Sequence, residues 1–203
     1  MIKFENINVT YPGGVEALKD LNLEINEGDF IIIVGLSGAG KSTLLRTINN
    51  LVKPTKGVVY LEGQDVTNAR KRDLKKIRSQ IGMIFQTFNL VNRSTVLKNV
   101  LTGRLSNVST FRSIFGLWPK DQKDMAFEAL NQVEILEKAY VRASNLSGGQ
   151  QQRVGIARAL SQKPKVMLAD EPVASLDPIT SRIVMSYLKK INTDLGITTI
   201  VNL

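Results

Sequence analysis

The sequence of 203 residues contains no cysteine. Disulfide bonds and thiolate metal sites are therefore excluded, and the composition is compatible with a reducing cytoplasm. No stretch approaches the roughly 18 consecutive apolar residues that a membrane-spanning helix requires. The first residues, 1–6, also lack the apolar stretch of a signal peptide. We expect a soluble protein that can still dock onto a membrane complex.

The remaining composition is that of a basic globular chain. Apolar residues make up 43% of it, which is enough for a sizeable core in one large domain or in a core with a subdomain. The net charge of +9 has three possible explanations: binding of nucleic acid, binding of anionic lipid headgroups, or binding of a nucleotide together with a general contribution of charge to solubility. In and just after the densest basic stretch, residues 70–78, the apolar residues Leu74, Ile77 and Ile81 fall at helical spacing, which favours a solvated helix face. There is no RNA-binding aromatic motif and no zinc finger, so we expect no nucleic-acid partner.

One segment has the pattern of a phosphate-binding loop. Residues 35–42 read Gly-Leu-Ser-Gly-Ala-Gly-Lys-Ser, a complete G-x-x-x-x-G-K-[ST] motif. The apolar run 30–34 predicts a buried strand before it and residues 42–48 predict a helix after it, so that backbone N–H groups and the positive end of the helix dipole converge on one point. A structural Gly-rich turn is the alternative. We expect contacts to a nucleoside triphosphate from Gly35, Leu36, Ser37, Gly38, Ala39, Gly40, Lys41, Ser42 and Thr43, with Lys41 on the outer phosphates and Ser42 on Mg²⁺.

The order of the predicted elements indicates an α/β fold. Alternating apolar residues before residue 26 predict an antiparallel β part, and strands are predicted at 56–61, 81–85, 166–169 and 197–201. Helices between apolar strands are typical of a largely parallel sheet covered on both faces, here a P-loop (RecA-like) core. No convincing strand lies in the middle of the chain, where Met125, Ala129, Leu130, Val133 and Leu136 form a helical stripe. We therefore expect a core from residues 1–88 and 146–203, with an inserted α-helical subdomain at 89–145.

Two carboxylates end the predicted strand at 166–169. Asp170 is placed to bind Mg²⁺, usually through water, because the carboxyl end of a parallel strand lies beside the phosphate loop of its neighbour. Glu171 can orient and deprotonate an attacking water. A solvated acidic turn before Pro172 is the alternative.

A second anion-binding helix start is predicted more than a hundred residues after the first. Residues 146–150 read Leu-Ser-Gly-Gly-Gln, and Ser147 is a suitable N-cap for the helix that follows. Ser147, Gly148 and Gly149 would present N–H groups and a positive helix end to an anion. An ordinary helix cap is the alternative.

These motifs, in this order and spacing, resemble the ATP-binding subunit of an ATP-binding cassette (ABC) transporter almost end to end. Residues 35–42 match the Walker A loop of that family, 166–171 the Walker B strand with the catalytic glutamate, and 146–150 the signature motif. The resemblance implies catalytic roles for Glu171, Gln86 and Lys41, and metal contacts from Ser42, Gln86 and Asp170. It also implies that Tyr11 stacks on adenine and that Asp177 belongs to the D-loop. A strand-edge aromatic for Tyr11 and a structural hydrogen bond for Gln86 remain the alternatives.

The resemblance further implies partners and a location. Two copies would pack head to tail, so that ATP on the Walker A loop of one is covered by residues 147–150 of the other, and hydrolysis would reset membrane-embedded permease subunits. A homodimer, integral membrane permease subunits and an extracytoplasmic solute-binding protein are thus expected, with the chain peripheral on the cytoplasmic face of the inner membrane. The family has a switch histidine after the last core strand, and this sequence contains no histidine. We interpret the chain as C-terminally truncated and expect near-normal ATP binding with much reduced turnover.

Local similarity narrows the transport class. Residues 101–105, 110–119 and 140–143 are similar to phosphonate importer ATPases. Residues 110–119 fit either packing within the helical subdomain or a contact surface for the membrane subunit. Import of another small solute, lipoprotein release, and a non-transport ABC ATPase are the alternatives.

Overall fold

The computed structural model describes residues 1–203 and contains two four-stranded sheets. The antiparallel sheet has the strand order β2-β1-β4-β5 and consists of β1 (Ile2–Thr10), β2 (Glu16–Ile25), β4 (Lys56–Leu61) and β5 (Gln64–Asp65). The parallel sheet has the order β3-β8-β7-β6 and consists of β3 (Phe30–Ile33), β6 (Ile81–Ile84), β7 (Val166–Asp170) and β8 (Thr198–Asn202). The expected antiparallel N-terminal part and parallel core are both confirmed.

Seven α-helices surround these sheets. They are α1 (Lys41–Ile48), α2 (Lys71–Ser79), α3 (Val96–Leu101), α4 (Thr110–Ile114), α5 (Lys120–Gln132), α6 (Gly148–Leu160) and α7 (Pro178–Leu195). Short 3₁₀ turns occupy Thr102–Asn107, Leu136–Lys138 and Ala143–Asn145. No strand lies between β6 and β7 in the chain, in keeping with a helical insertion. None of the helices is long and apolar enough to cross a bilayer.

The parallel sheet separates two hydrophobic cores. Successive residues of β7 point to opposite faces, so Val166 and Leu168 join the core under the antiparallel sheet and α1, whereas Met167 and Ala169 join the core formed with α3, α5, α6 and α7. The sheet is therefore covered on both faces, as the uninterrupted apolar strands predict. Its carboxyl ends meet at one edge, where the phosphate loop begins.

Burial differs from the sequence expectation in β3. Residues 30–34 are predicted to be a buried strand, but Ile32 is 46% and Val34 74% exposed. β3 is an edge strand that pairs only with β8, whereas β7 lies between two strands and is buried throughout. An apolar run has the same pattern at an edge as at the centre of a sheet, so the sequence did not distinguish the two.

The helical stripes are confirmed in their centres and wrong at their ends. In α5, Ala129 and Leu130 are buried, but the helix ends at Gln132, so Leu136 lies in the following turn and is exposed. The sequence also predicts an inner apolar stripe for the helix that Pro178 opens. This stripe is buried from Val184 to Ile191, whereas Ile179 and Ile183 in the first turns of α7 are exposed. The first turn of α7 approaches the start of α6 through Thr180, whose side chain lies against Gly149, and this contact leaves both isoleucines open to solvent.

Candidate functional site

The loop at residues 35–42 connects β3 to α1 and is shaped by glycine. Gly38 and Gly40 adopt positive φ angles of 82° and 86°, a region in which side chains are strained. A β-carbon at Gly40 would lie 2.2 Å from the Ala17 carbonyl oxygen of β2, so no other residue fits there. Gly40 also precedes α1 without any side-chain cap. The first N–H groups of α1 therefore have no side-chain partner and are available to an anion.

Lys41 is folded over the mouth of this loop. Its ammonium donates hydrogen bonds to the carbonyl oxygens of Gly35 (2.7 Å) and Leu36 (3.1 Å). The loop carbonyls thus hold a positive charge beside the free N–H groups of α1. Such an arrangement favours the outer phosphates of a nucleotide.

A cavity of about 250 Å³ adjoins the loop and brings several predicted residues together. Its lining consists of Tyr11, Val15, Ala17, Gly38, Ala39, Gly40, Lys41, Ser42, Thr43 and Glu171. Tyr11 lies at the rim, where its hydroxyl is 3.1 Å from the hydroxyl of Thr43. The chain therefore gathers an aromatic ring, a phosphate loop and the proposed general base around one space, although they come from opposite ends of the sequence.

Two of the three predicted metal residues, Ser42 and Asp170, are in direct contact. The Ser42 hydroxyl donates to Oδ1 of Asp170 at 2.7 Å, and Asp170 is only 2% exposed. Two N–H groups of Arg46, one turn further along α1, reach Oδ2 of Asp170 at 3.0 and 2.8 Å. No group of three or more acidic, histidine or cysteine side chains gathers here or elsewhere. The hard oxygen donors of Ser42 and Asp170 suit a Mg²⁺ ion that takes its other ligands from phosphate and water.

Asn202 is a site residue that the sequence reasoning missed. It is fully buried at the end of β8, paired in register with Asp170. Its amide donates to Oδ1 of Asp170 at 2.9 Å and to the Ser42 hydroxyl at 3.2 Å, and it accepts the backbone N–H of Glu171. The available signal is a lone amide that directly follows the apolar pair Ile200 and Val201 at the end of the strand. Arg46 was also missed, and its signal is the spacing of one helical turn from Ser42.

Glu171 leaves the strand in an unusual conformation. Its φ angle is 49°, in the left-handed region that non-glycine residues seldom adopt. The residue lines the cavity, and its carboxylate makes no hydrogen bond or ion pair with the protein. The carboxylate is therefore available to accept a proton from a molecule in the cavity.

The second predicted anion site lies apart from the first. Ser147 and Gln150 form a capping box at the start of α6: the Ser147 hydroxyl accepts the backbone N–H of Gln150 at 3.4 Å, and the side-chain oxygen Oε1 of Gln150 accepts the backbone N–H of Ser147 at 3.0 Å. Ser147, Gly149 and Gln150 line a separate cleft of about 740 Å³ beside α7. The ordinary helix cap is thus present, and a single copy does not bring the two helix starts to one cavity.

Two further predicted residues remain outside the cavity at the phosphate loop. Gln86 is exposed two residues beyond β6, and Asp177 is the N-cap of α7, where it accepts the N–H groups of Ile179 and Thr180 at 3.0 Å. Hydrogen bonds from Thr180 hold the pKa of Asp177 below its usual value. Their contacts to metal and nucleotide therefore stay predictions.

Comparison with known proteins agrees with this geometry. A model of the ABC transporter family matches residues 18–174. The chain is 58% identical over its full length to the phosphonates import ATP-binding protein PhnC 3 of Halalkalibacterium halodurans, of which it covers 79%. It is 59% identical to PhnC of Bacillus cereus strain ZK, again over its full length and 79% of that protein.

Solved structures give the same result. A dimeric structure of the bacterial ABC transporter cassette MJ0796 is matched with a TM-score of 0.86 and 40% identity over 100% of this chain and 87% of that one. A second dimeric structure of MJ0796, described as a post-hydrolysis state bound to ADP and Pi, is matched with a TM-score of 0.84 at the same identity and coverage. The chain therefore belongs to the ABC transporter family and is one of its ATP-binding, transport-coupled ATPase subunits.

Proposed function

We propose that this subunit hydrolyses Mg²⁺-bound ATP to power phosphonate import. The observation that carries the chemistry is the meeting of Lys41, Ser42, Asp170 and Glu171 at one edge of the parallel sheet, with Asp170 held on Ser42 and Glu171 in the adjoining cavity. The relatives named for phosphonate import support the substrate class. The alternatives are import of another small solute and lipoprotein release.

Each residue has a distinct task in this proposal. Lys41 and the N–H groups at the start of α1 bind and orient the outer phosphates. Ser42 and Asp170 hold Mg²⁺, which when bound neutralises phosphate charge. Glu171 orients the attacking water and accepts its proton, for which its unpaired carboxylate is suited. Tyr11 closes the rim of the cavity, where an adenine ring can stack on it.

The second helix start is assigned to a partner copy. Ser147 and Gly149 lie on a different cleft from the phosphate loop, and Gly148 stands between them at the start of α6. We propose that they cover the ATP of a second copy in a head-to-tail homodimer, to which Gln150 and Asp177 also contribute. The dimeric structures of MJ0796, one of them with ADP and Pi, support this arrangement.

A cleft between the core and the helical segment is the proposed seat of a permease segment. It measures about 410 Å³ and is lined by Met83 of β6, by Phe85 just after that strand and by Leu105 from the helical segment, with Arg78 and Arg158 at its sides. Gln86 follows Phe85 directly, so a permease segment in this cleft would contact the chain next to a predicted Mg²⁺ contact. A subunit docked in this way would lie peripherally at the cytoplasmic face of the membrane, with an extracytoplasmic solute-binding protein as an indirect partner.

Purification from detergent-solubilised native membranes tests this proposal. We expect a multi-span permease and a phosphonate-binding extracytoplasmic protein to co-purify, and phosphonate uptake to cease in cells that carry only the Glu171→Gln variant. Recovery with a lipoprotein-release complex and no such permease, or undiminished uptake, would contradict it.

A further inference from the structure

We propose that Asn202 is a positioning residue of the ATPase site, which fixes the metal-binding pair Ser42–Asp170 and the backbone of Glu171 through one side-chain amide. The inference rests on the proposed hydrolysis of Mg²⁺-bound ATP. It concerns a residue that touches neither substrate nor metal and acts through three groups that do.

The carboxylate of Asp170 is the first group that Asn202 positions. It offers about four lone-pair positions. Ser42 and Asn202 donate to Oδ1, and two N–H groups of Arg46 donate to Oδ2. All four positions are thereby occupied and the plane of the carboxylate is fixed. Asp170 so held keeps its negative charge beside the Ser42 hydroxyl, and its orientation depends on Asn202 on one side and Arg46 on the other.

The hydroxyl of Ser42 is the second group that Asn202 positions. A hydroxyl has one donor and two lone pairs. Its donor goes to Asp170, and one lone pair accepts the amide of Asn202 at 3.2 Å. One lone pair is left over, and Ser42 lines the cavity at the phosphate loop. Asn202 and Asp170 together therefore leave Ser42 with a single acceptor position for Mg²⁺ and prevent the hydroxyl from turning.

The backbone of Glu171 is the third group that Asn202 positions. Left-handed backbone at a non-glycine residue persists only where its surroundings hold it. The side-chain oxygen of Asn202 accepts the Glu171 N–H at this position, and β8 holds Asn202 in register with Asp170. The chain is thus turned out of β7 immediately after the metal residue, and the Glu171 side chain enters the cavity instead of continuing the alternation of the strand.

Burial indicates that the amide is specific. Asn202 has no exposed surface, and a buried amide is costly unless its hydrogen bonds are made. Both its N–H donors and its oxygen are used, and all three partners belong to the site. If the side chain served only to fill space, leucine would do so at lower cost, because it has a similar size and no polar group to bury.

The experiment compares two buried asparagines. Asn192 is also buried, and its amide donates to the carbonyls of Gly28 and Ile197 at 2.8 and 2.9 Å, near the opposite end of β8. Asn202→Leu and the matched control Asn192→Leu both remove a buried amide, but only the first removes it from the site. For each variant we would measure melting temperature, the Mg²⁺ dependence of binding of a fluorescent ATP analogue, and kcat and KM for ATP.

For Asn202→Leu we expect the Mg²⁺ concentration at half-maximal effect to rise roughly tenfold, as for the loss of a hydrogen bond to a charged group. We expect kcat to fall by a similar factor or more, with KM in excess Mg²⁺ nearly unchanged because the phosphate loop is intact. Asn192→Leu should lower the melting temperature without either effect. If Asn202→Leu does not fold, Asn202→Ala carries the test: it is smaller than asparagine and introduces no charge beside Asp170, but it loses both donors and the acceptor, so kcat should fall likewise.

The proposal is overturned if Asn202→Leu, like Asn192→Leu, changes the melting temperature alone, or if Asn202→Ala turns over ATP like the wild type. Failure of the proposed function has a different signature, because the wild-type protein would then show no Mg²⁺-dependent binding of the ATP analogue. If the wild type binds the analogue without measurable turnover, the Mg²⁺ concentration at half-maximal effect tests the proposal instead: a rise in Asn202→Leu supports it, and an unchanged value overturns it.

Discussion

The two anion-binding helix starts of this chain differ in what already occupies their N–H groups. At α1, Gly40 provides no side-chain cap, and Lys41 lies across the loop carbonyls. At α6, Ser147 and Gln150 cap each other through the capping box. The first site is thus prepared for a phosphate within one copy, whereas the second is satisfied by its own side chains and gains a ligand only if another molecule brings one. The same helix-end physics therefore gives a binding site in one case and a covering surface in the other.

The largest expected effect separates chemistry from binding at the α1 site. Glu171→Gln removes the general base without changing shape, so turnover should fall by roughly 10²–10⁴-fold. Binding of ATP should be largely intact, because no phosphate contact is lost. Steady-state turnover and equilibrium binding of a fluorescent ATP analogue measure the two effects, and unchanged turnover would show that the base lies elsewhere.

Lys41→Met removes the cation that distinguishes the α1 site from the α6 site. Loss of a hydrogen bond to a charged group costs about 1.5–3 kcal/mol, so ATP affinity should fall by roughly 10- to 100-fold. Lys56→Met is a suitable control, since Lys56 is exposed on β4 of the antiparallel sheet. Titration calorimetry with ATP gives both affinities. Equal affinities for the two variants would mean that the N–H groups of α1 suffice.

Ser147→Ala breaks the capping box at α6. We expect ATP binding by a single copy to be unchanged, but ATP-dependent dimerisation of the Glu171→Gln background to weaken about tenfold, as for one lost hydrogen bond to a charged phosphate. The control is Thr95→Ala, which removes the N-cap of α3, where Thr95 accepts the Lys98 N–H. Sedimentation with and without ATP separates them: a like effect of both variants would mean that any lost cap, rather than the α6 site, is responsible.

The smallest effect concerns the network beside α6. Tyr187 is 7% exposed and donates to Glu134 at 2.9 Å, and burial together with this hydrogen bond raises its pKa. Because the folded-state pKa lies above the unfolded one, the neutral hydroxyl stabilises the fold fully below about pH 10 and this contribution is lost as pH rises further. Tyr187→Phe should cost about 1 kcal/mol at neutral pH.

This difference should shrink as the wild type loses its advantage above about pH 10. Chemical denaturation at pH 7, 9 and 10.5 measures it, with Tyr60→Phe on β4 as the control. A difference that stays constant across this range would contradict the assignment.

Much of the site could be predicted because its parts are local in the sequence. The phosphate loop, the carboxylates after β7 and the cap of α6 each depend on residues within one short segment. Asn202 and Arg46 could not be found in this way, since their roles depend on the register of β8 against β7 and on the approach of α1 to that pair. The exposure of Ile32 in β3 was missed for the same reason: the position of a strand within a sheet is a property of the whole fold.

The close approach of Ala17 to Gly40 has a consequence for engineering this protein. Tyr11 and the turn up to Val15 join β1 to β2, and a surface hairpin of this kind usually tolerates insertions. Here β2 packs directly behind the phosphate loop at Gly40, so the position of the hairpin determines the space that the loop can occupy. Lengthening the hairpin would shift both β2 and the ring of Tyr11, on which adenine is proposed to stack. We therefore expect nucleotide affinity to depend on the length of a turn that contacts no phosphate.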